Sequence, residues 1–409
     1  MGLYTFFKIG ETMKQMIVHC KQNTTQMALL ENGRLIEYAA ERARSQGTLG
    51  SLFKARVVNV VPGMQAAFVD IGQKKNAFLY VDDVLHAHLD KQPSVKPAIT
   101  ELLKPGQELI VQVFKEAVGS KGARVTTHYS LPGRWIVYMP DADYVAVSKK
   151  IEREAERSRL KGIGEEIRQR EEGLIIRTVS EDESREALKR DLEQLRKQWH
   201  SILKKAEQQT APCLLHRDLS IVQRFIRDTF TPEQDELIID HEGQAQDALS
   251  FLRDMGIFEA KVRVYDREEP IFQKFGVQGQ LDRDFARKIW LKGGGYIVID
   301  HTEALTVIDV NTGKYTGGSN LEETVTRTNL EAAAEIARLM RVRDVGGIII
   351  VDFIDMEREE HRKEVFTILE EGLKQDRTKS FVVGWTKLGL LEMTRKKVRA
   401  ESVPEEWNR

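Results

Sequence analysis

The sequence predicts an α/β and α+β multidomain chain, on three observations. Its 409 residues (46.8 kDa) exceed one domain at roughly 100–200 residues each. Short β-type runs separated by turn signals crowd into the stretch from Gly50 to Thr127. The last part alternates apolar strands with helices of apolar spacing, the signature of an α/β layer.

The β-type runs are Phe53–Val61, Ala66–Ile71, Asn76–Val81, Glu108–Phe114 and Ala123–Tyr129, punctuated by Pro62-Gly63, Gly72 and Pro105-Gly106. Five strands with one long connection, Asp82 to Lys104, carrying Pro93 and Pro97, suit a five-stranded Greek-key barrel of OB type. Lys149 to Gln209 is charged and helix-forming, interrupted at Gly173 by Leu174-Ile175-Ile176, a strand ending at Arg177-Thr178, so this is an α+β module. Lys149–Arg170 reads as a solvated helix pair. Pro212 to Asp284 mixes strands (Leu237-Ile238-Ile239, Ala260–Tyr265) with a helix at Gln244–Met255. Beyond it come strands Tyr296–Asp300 and Leu305–Val310, helix Leu321–Arg341, strand Gly347–Ile354, helix Glu357–Lys374 and strand Phe381–Trp385. Glu331, Glu335, Arg338 and Arg341 read as the polar face of the first of these helices.

Composition excludes several classes. No run approaches the roughly 18 apolar residues of a membrane span. The opening MGLYTFFKIGET lacks a basic start and a long apolar stretch, so it reads as an extension before Met13 and not as a signal peptide. Only Cys20 and Cys213 occur, in no CxxC pair, which argues against a disulfide framework and a cysteine zinc site and for a reducing cytoplasm. Lys plus Arg (62) nearly cancels Asp plus Glu (63), so nucleic acid would be met by local basic patches. Residues 49 to 129 hold ten basic against seven acidic residues, a net of +3.

Asp352 stands inside the apolar run Ile348–Ile354, where an ionised carboxylate would lose hydration unless a cation compensates it. The bland alternative is a helix-capping or Arg-paired Asp. Asp309 closes the strand before it in the same way, just ahead of Asn311 and the flexible stretch Thr312–Gly318. One or two carboxylates completed by water are what Mg²⁺ prefers, so Asp309 and Asp352 form a candidate one-ion site, with Asn311 placed to hold a water of that site. Such an ion suits phosphodiester hydrolysis. Gly313-Lys314 and Gly119-Ser120-Lys121 fail the GxxxxGK[ST] pattern, and the triglycine Gly293–Gly295 precedes a strand, so neither an NTPase nor a dinucleotide site is expected. In the barrel, Phe68 and Phe78 flank Gly72, with Lys74, Lys75, Lys115, Lys121 and Arg124 nearby. That set suits single-stranded nucleic acid, the alternative being that both rings are barrel core. His86 and His88 form an HxH pair without a third ligand and are assigned no role.

The strings IVIDHTEALTVIDVNTGKYTGG, ETVTRTNLEAAAEIARLMRVRDVGGIIIVDFIDM and GLLEMTRKK closely resemble the ribonuclease E/G family of bacterial endoribonucleases, and AAFVDIG, NAFLYV, KGARVT and GLIIRT extend the resemblance over roughly residues 14 to 400. The resemblance implies an RNase H-like domain (13–48 and 222–284) split by an OB-fold RNA-binding barrel (49–129) and a 5′-sensor module (130–221), followed by a DNase I-like catalytic domain (285–400). It implies Asp309 and Asp352 as the magnesium pair and Asn311 as the partner orienting a water. By the same resemblance Arg177 and Thr178 grip a 5′-terminal monophosphate, with Val137 adding backbone contact, and Phe68, Phe78 and Lys121 contact RNA, Lys115 joining them as a nearby cation. The family usually continues into a CxxC zinc link and a small dimerisation domain, which this sequence lacks. No zinc is therefore expected, and the oligomeric state stays open.

The expected function is a Mg²⁺-dependent endoribonuclease that hydrolyses single-stranded, A/U-rich RNA to 5′-phosphate and 3′-hydroxyl ends, stimulated by a 5′-monophosphate, in rRNA processing and mRNA decay. Rival readings are a non-catalytic RNA-binding or ribosome-assembly factor that retains the fold, which turnover with Mg²⁺ and its loss with EDTA would exclude, and a DNA nuclease, which a comparison of RNA with DNA would separate.

Overall fold

The computed structural model describes residues 14–21, 23–42, 48–85, 95–117, 121–232, 234–313 and 321–396. His86, His88, Pro93, Gly119, Ser120 and Lys314–Gly318 lie outside the described residues. Two compact units emerge, one from the two ends of the chain (up to Ser45 and from Phe230) and one from Gln46–Thr229.

The unit built from the chain ends holds two sheets. The first has the order Lys261–Val264, Glu236–Ile239, Lys14–Lys21, Thr24–Glu31, Arg34–Arg42. Lys14–Lys21 pairs parallel with Glu236–Ile239 and antiparallel with Thr24–Glu31. Asn32 and Gly33 (φ 49° and 76°) turn the hairpin between the last two strands, because a two-residue hairpin that matches strand twist needs positive φ at both positions.

The second sheet has the order Lys288–Trp290, Tyr296–His301, Leu305–Asn311, Gly347–Asp352, Leu391–Arg395, Ser380–Trp385. Only the central pair, Leu305–Asn311 with Gly347–Asp352, is parallel, and the helix Leu321–Val342 lies between these strands in the chain. Strand alternation sends Ile289, Ile297, Ile308, Val310, Ile349 and Val351 into a core shared with that helix and Glu359–Lys374. The expected elements are present within a few residues. Lys288–Trp290 and Leu391–Arg395 were not anticipated, being short and of mixed polarity.

The expected polar face of Leu321–Val342 requires correction. Glu335 and Arg338 are buried, and Glu331 and Arg341 are half-buried. The Arg338 guanidinium donates to Glu335 Oε1 at 2.6 Å, to Asp284 Oδ2 at 2.6 Å and to the Leu35 carbonyl at 2.7 Å. Asp284 is wholly buried, and Glu335 also accepts from Arg34. Opposed charges hold the Glu335 carboxyl below its ordinary range although burial pushes the other way. The helix thus buries one side on its own sheet and ties the other by ions to Arg34–Leu35 and Asp284.

The second unit contains a closed five-stranded barrel, consistent with an OB-like fold: Leu52–Val61, Ala66–Asp70, Ala77–Tyr80, Arg124–Thr126 and Glu108–Lys115 pair in turn, and the last closes on the first. Ala55, Val57, Val69, Leu79, Val111, Val113 and Val125 fill it. Beside it, a sheet ordered Val145–Val147, Glu172–Ile176, Ile136–Pro140, Leu131–Pro132 packs on helices Glu154–Ile167 and Arg185–Gln208. Lys149–Arg170 therefore contributes one helix and not a solvated pair, and that helix buries Leu160 and Ile167.

Arg338→Met should destabilise the protein by about 3–5 kcal/mol, since it strands buried carboxylates without their cation. Urea unfolding checks this, and a loss below about 1 kcal/mol would show that the cluster contributes little.

Candidate functional site

Asp352 ends the strand Gly347–Asp352, and its direct register partner is Asp309 on the adjacent parallel strand, which runs on to Asn311 and so does not close at Asp309 as expected; the pairing sets their backbones roughly 4.8 Å apart. Alternation turns both away from the helices, onto the open face of the sheet. Asp352 is exposed, which corrects the expectation that its apolar run strips it of water: Ile349 and Val351 point into the core, whereas Ile348 shares the open face. Residual burial, then the neighbouring Asp309 and Asp355 carboxylates, push the Asp352 carboxyl above its ordinary pKa. Asn311, one further outward-facing step along the strand, donates from Nδ2 to Asp309 Oδ2 at 2.7 Å.

Among the described residues no group of three or more His, Cys, Asp or Glu is placed to hold a metal. The protein's donors here are two carboxylates on open sheet surface. That set fits a hard, largely hydrated cation such as Mg²⁺ and fits poorly a closed zinc site.

The helix Leu321–Val342 frames this site through Asn329 and Glu322, which sequence reasoning did not single out, and through Glu331, expected only on its polar face. Asn329, fully buried, donates to the Ile354 carbonyl at 2.8 Å and accepts from the Ile354 amide at 3.1 Å. It thereby clamps the loop that follows Asp352. Glu322 accepts from the amides of Glu357 and Arg358, both at 3.3 Å, and pairs with His361 at 2.7 Å. Glu331 accepts from the amides of Lys292 at 2.7 Å and Gly293 at 3.0 Å, fixing the triglycine turn. A Cβ at Gly295 would meet the Asn311 carbonyl at 2.8 Å, so this turn packs backbone to backbone against the Asn311 strand. The available signal was an Asn within an otherwise apolar helical stripe, since a buried amide needs partners.

On the barrel, Phe68 and Phe78 are cross-strand partners, half-buried, with ring centroids 5.8 Å apart at 72°. Neither belongs to the barrel core, which settles where the rings lie: on the outer face. Phe78 is also the partner of Arg124, and Arg124 of Lys115. The Arg124 guanidinium lies 5.0 Å from the Phe114 ring and 5.9 Å from that of Tyr80. Lys74, Lys75, Lys115 and Lys121 are exposed. Tyr80 and Phe114 extend the aromatic row: period-two alternation from Phe78 would have pointed to Tyr80, whereas Phe114 sits at the register irregularity between Val113 and Lys115, which simple alternation does not reveal.

Arg177 and Thr178 follow the strand Glu172–Ile176. The Arg177 guanidinium is held by the carbonyls of Gly133 at 2.7 Å and Arg134 at 3.1 Å and by Asp228 at 2.7 Å. The Thr178 hydroxyl shares a hydrogen bond with Ser148 at 2.8 Å. Val137, half-buried, lies on the neighbouring strand opposite Ile175, two positions from Trp135, whose carbonyl accepts the Arg177 amide at 2.9 Å. The three residues thus share one end of a sheet. Asp191, missed in the sequence, accepts from the amides of Arg134, Trp135 and Ile136 at 3.2, 2.8 and 3.0 Å, and so shapes the loop that anchors Arg177.

Comparison with known proteins adds an independent finding. The sequence model of the ribonuclease E/G family matches residues 130–398. The chain is 41% identical over 392 residues to Ribonuclease G of Escherichia coli K12, covering 94% of this chain and 80% of that protein. It is 40% identical over 393 residues to Ribonuclease G of Haemophilus influenzae, with coverage of 94% and 80%. Against Ribonuclease E of Escherichia coli K12 it is 36% identical over 393 residues, covering 94% of this chain and 37% of that one.

The carboxylate pair has a pH signature. Because the fold raises the Asp352 pKa, its contribution to stability is present below the unfolded value of about 3.9 and is lost as pH rises through the folded value. Asp309→Asn should move the Asp352 titration down towards the ordinary range, as read from carboxyl-carbon NMR in metal-free buffer. An unmoved titration would mean that the two side chains do not sense each other.

Proposed function

We propose, for a chain that belongs to the ribonuclease E/G family and is an endoribonuclease acting in RNA processing, that Asp309 and Asp352 hold one Mg²⁺ at which single-stranded RNA is hydrolysed to 5′-phosphate and 3′-hydroxyl ends. The observation that carries this reading is their register pairing on two adjacent parallel strands. Like charges placed side by side on an open surface are relieved by a shared cation, and the pair leaves the rest of its shell to water and phosphate. When bound, the ion would supply charge stabilisation to the scissile phosphate and a more acidic water. Asn311 orients Asp309 and offers its amide to the attacking water. Asn329 and Glu331 hold the loops on either side, so the carboxylates would take up the ion without reorganisation.

Two further surfaces are assigned to the RNA. Bases stack on Phe68 and Phe78 while Lys115, Lys121 and their neighbours track phosphates, a sequence-tolerant mode that suits A/U-rich single strands. Arg177, Thr178 and Val137 bind a 5′-terminal monophosphate: a guanidinium pinned by Asp228 and two carbonyls is pre-organised for a phosphate dianion. Support for the split RNase H-like reading (13–48 with 222–284) is the sheet that joins Lys14–Arg42 to Glu236–Val264. The DNase I-like reading of 285–400 draws on the six-stranded sheet with its carboxylates on one open face. No described helix is long and apolar enough to cross a membrane, and a cytoplasmic place in rRNA maturation and mRNA decay is part of the same proposal.

Asp309→Asn and Asp352→Asn should each lower cleavage of a 5′-monophosphorylated oligoribonucleotide at least about a thousandfold, with RNA affinity changed less than threefold, and EDTA should reproduce the loss. Cleavage by either variant at the wild-type rate would end the metal-site reading. Arg177→Ala should reduce the advantage of 5′-monophosphate over 5′-hydroxyl RNA by about tenfold, leaving 5′-hydroxyl cleavage nearly unchanged. A retained advantage would remove the sensor.

A further inference from the structure

The open face of the six-stranded sheet carries a feature that neither the carboxylate pair nor the barrel uses. Trp290 lies on the edge strand Lys288–Trp290 and is 56% exposed. Its register partner is Tyr296, whose partner on the next strand is Asn311. Two residues along, a parallel row runs Lys288, Val298, Asp309, Asp352. Ile289, Ile297 and Val310 alternate with these residues and point into the core, so both rows face the same open side. Trp290 therefore stands two strands, roughly 10 Å of backbone, from Asn311.

The local geometry is built and not incidental. The Trp290 and Tyr296 rings lie 5.3 Å apart at 62°, and Lys288 Nζ sits 3.6 Å from the Tyr296 centroid and 4.4 Å from that of Trp290. A Cβ at Gly313 would come within 3.4 Å of the Trp290 ring and 2.5 Å of the Gly294 carbonyl. The indole thus abuts the backbone that leaves Asn311, which limits its rotamers. A large ring held in place yet left in water forgoes burial unless something covers it. Beside it are an ammonium and, across the sheet, the carboxylates proposed to act on a phosphodiester. A polynucleotide supplies a π-face for the ring and a phosphate for the cation at once.

We propose that Trp290 and Tyr296, with Lys288, form a stacking subsite for one unpaired nucleobase of the RNA next to the scissile bond. The inference rests on the reading of Asp309 and Asp352 as the cleavage centre. The subsite fixes the register of the strand over the carboxylates by gripping a base, whichever base that is, because stacking needs only a π-face. Paired bases are excluded, since their faces are already occupied.

The test scans one abasic position at a time through a single-stranded 5′-monophosphate RNA around its cleavage site. Wild type, Trp290→Ala and Trp290→Phe are compared by kcat/KM with Mg²⁺ and by binding anisotropy in EDTA. In wild type, one abasic position near the cleaved bond should cost about tenfold. That penalty should vanish in Trp290→Ala, which is already about tenfold weaker on intact RNA, and largely persist in Trp290→Phe. The proposal is overturned if Trp290→Ala matches wild type, or if it shows the same abasic penalty at every position. It is also overturned if the substitution alters self-association in sedimentation and leaves RNA binding unchanged, because the ring then belongs to a protein contact. Should wild type bind RNA without cleaving it, the cleavage reading fails, and the binding arm in EDTA still decides the subsite by the same comparison.

Discussion

Two carboxylates that repel each other stand as register partners on neighbouring parallel strands, and the elements around them keep them there. The repulsion is visible in Asp352, whose carboxyl is pushed up by partial burial and by the charges of Asp309 and Asp355. A fold gains nothing by this arrangement on its own; a cation between the side chains converts the opposition into attraction. Parallel pairing is what makes it possible. It runs both strands towards the same edge, so that the two carboxylates fall side by side close to it, and alternation puts both side chains on the face that the helices do not cover.

The helix Leu321–Val342 is the principal brace. Near its start Glu322 and Asn329 hold the segment after Asp352, and Glu331 holds the triglycine turn against the Asn311 strand. Near its end Glu335 and Arg338 bind Asp284, Arg34 and the Leu35 carbonyl. The helix is therefore located by hydrogen bonds with defined directions at both ends and by apolar packing between them. Apolar contacts alone tolerate sliding, whereas a bidentate amide or a buried guanidinium fork does not.

A common rule governs the surfaces proposed for RNA. In the barrel, Val57, Val69 and Leu79 fill the interior while Phe68 and Phe78 take the alternate positions outside. In the larger sheet, Ile289 and Ile297 turn inward and Trp290 and Tyr296 outward. In both places a cation, Arg124 or Lys288, lies against the rings. Aromatic side chains on the solvent side of a sheet, braced by cations, are costly as pure scaffold and useful as stacking platforms.

The family was legible in the long matching strings, and most of the strands and helices of the barrel and the last sheet in their spacing, because period-two and apolar helical patterns are local properties. The sequence also singled out Asp309 and Asp352, since carboxylates within apolar strands are conspicuous, with Asn311 close behind Asp309. Whether Phe68 and Phe78 lay inside or outside the barrel was undecided, because that depends on which face closes on itself. Asp352 seemed buried because a uniform apolar run conceals its own alternation. Glu335 and Arg338 seemed solvated because a charged helical face finds a buried role only through partners distant in the chain, here Asp284 and Leu35. Register, the inward or outward sense of each strand and the pairing of buried charges are relations between segments far apart in the chain, so they emerge only when those segments are folded together.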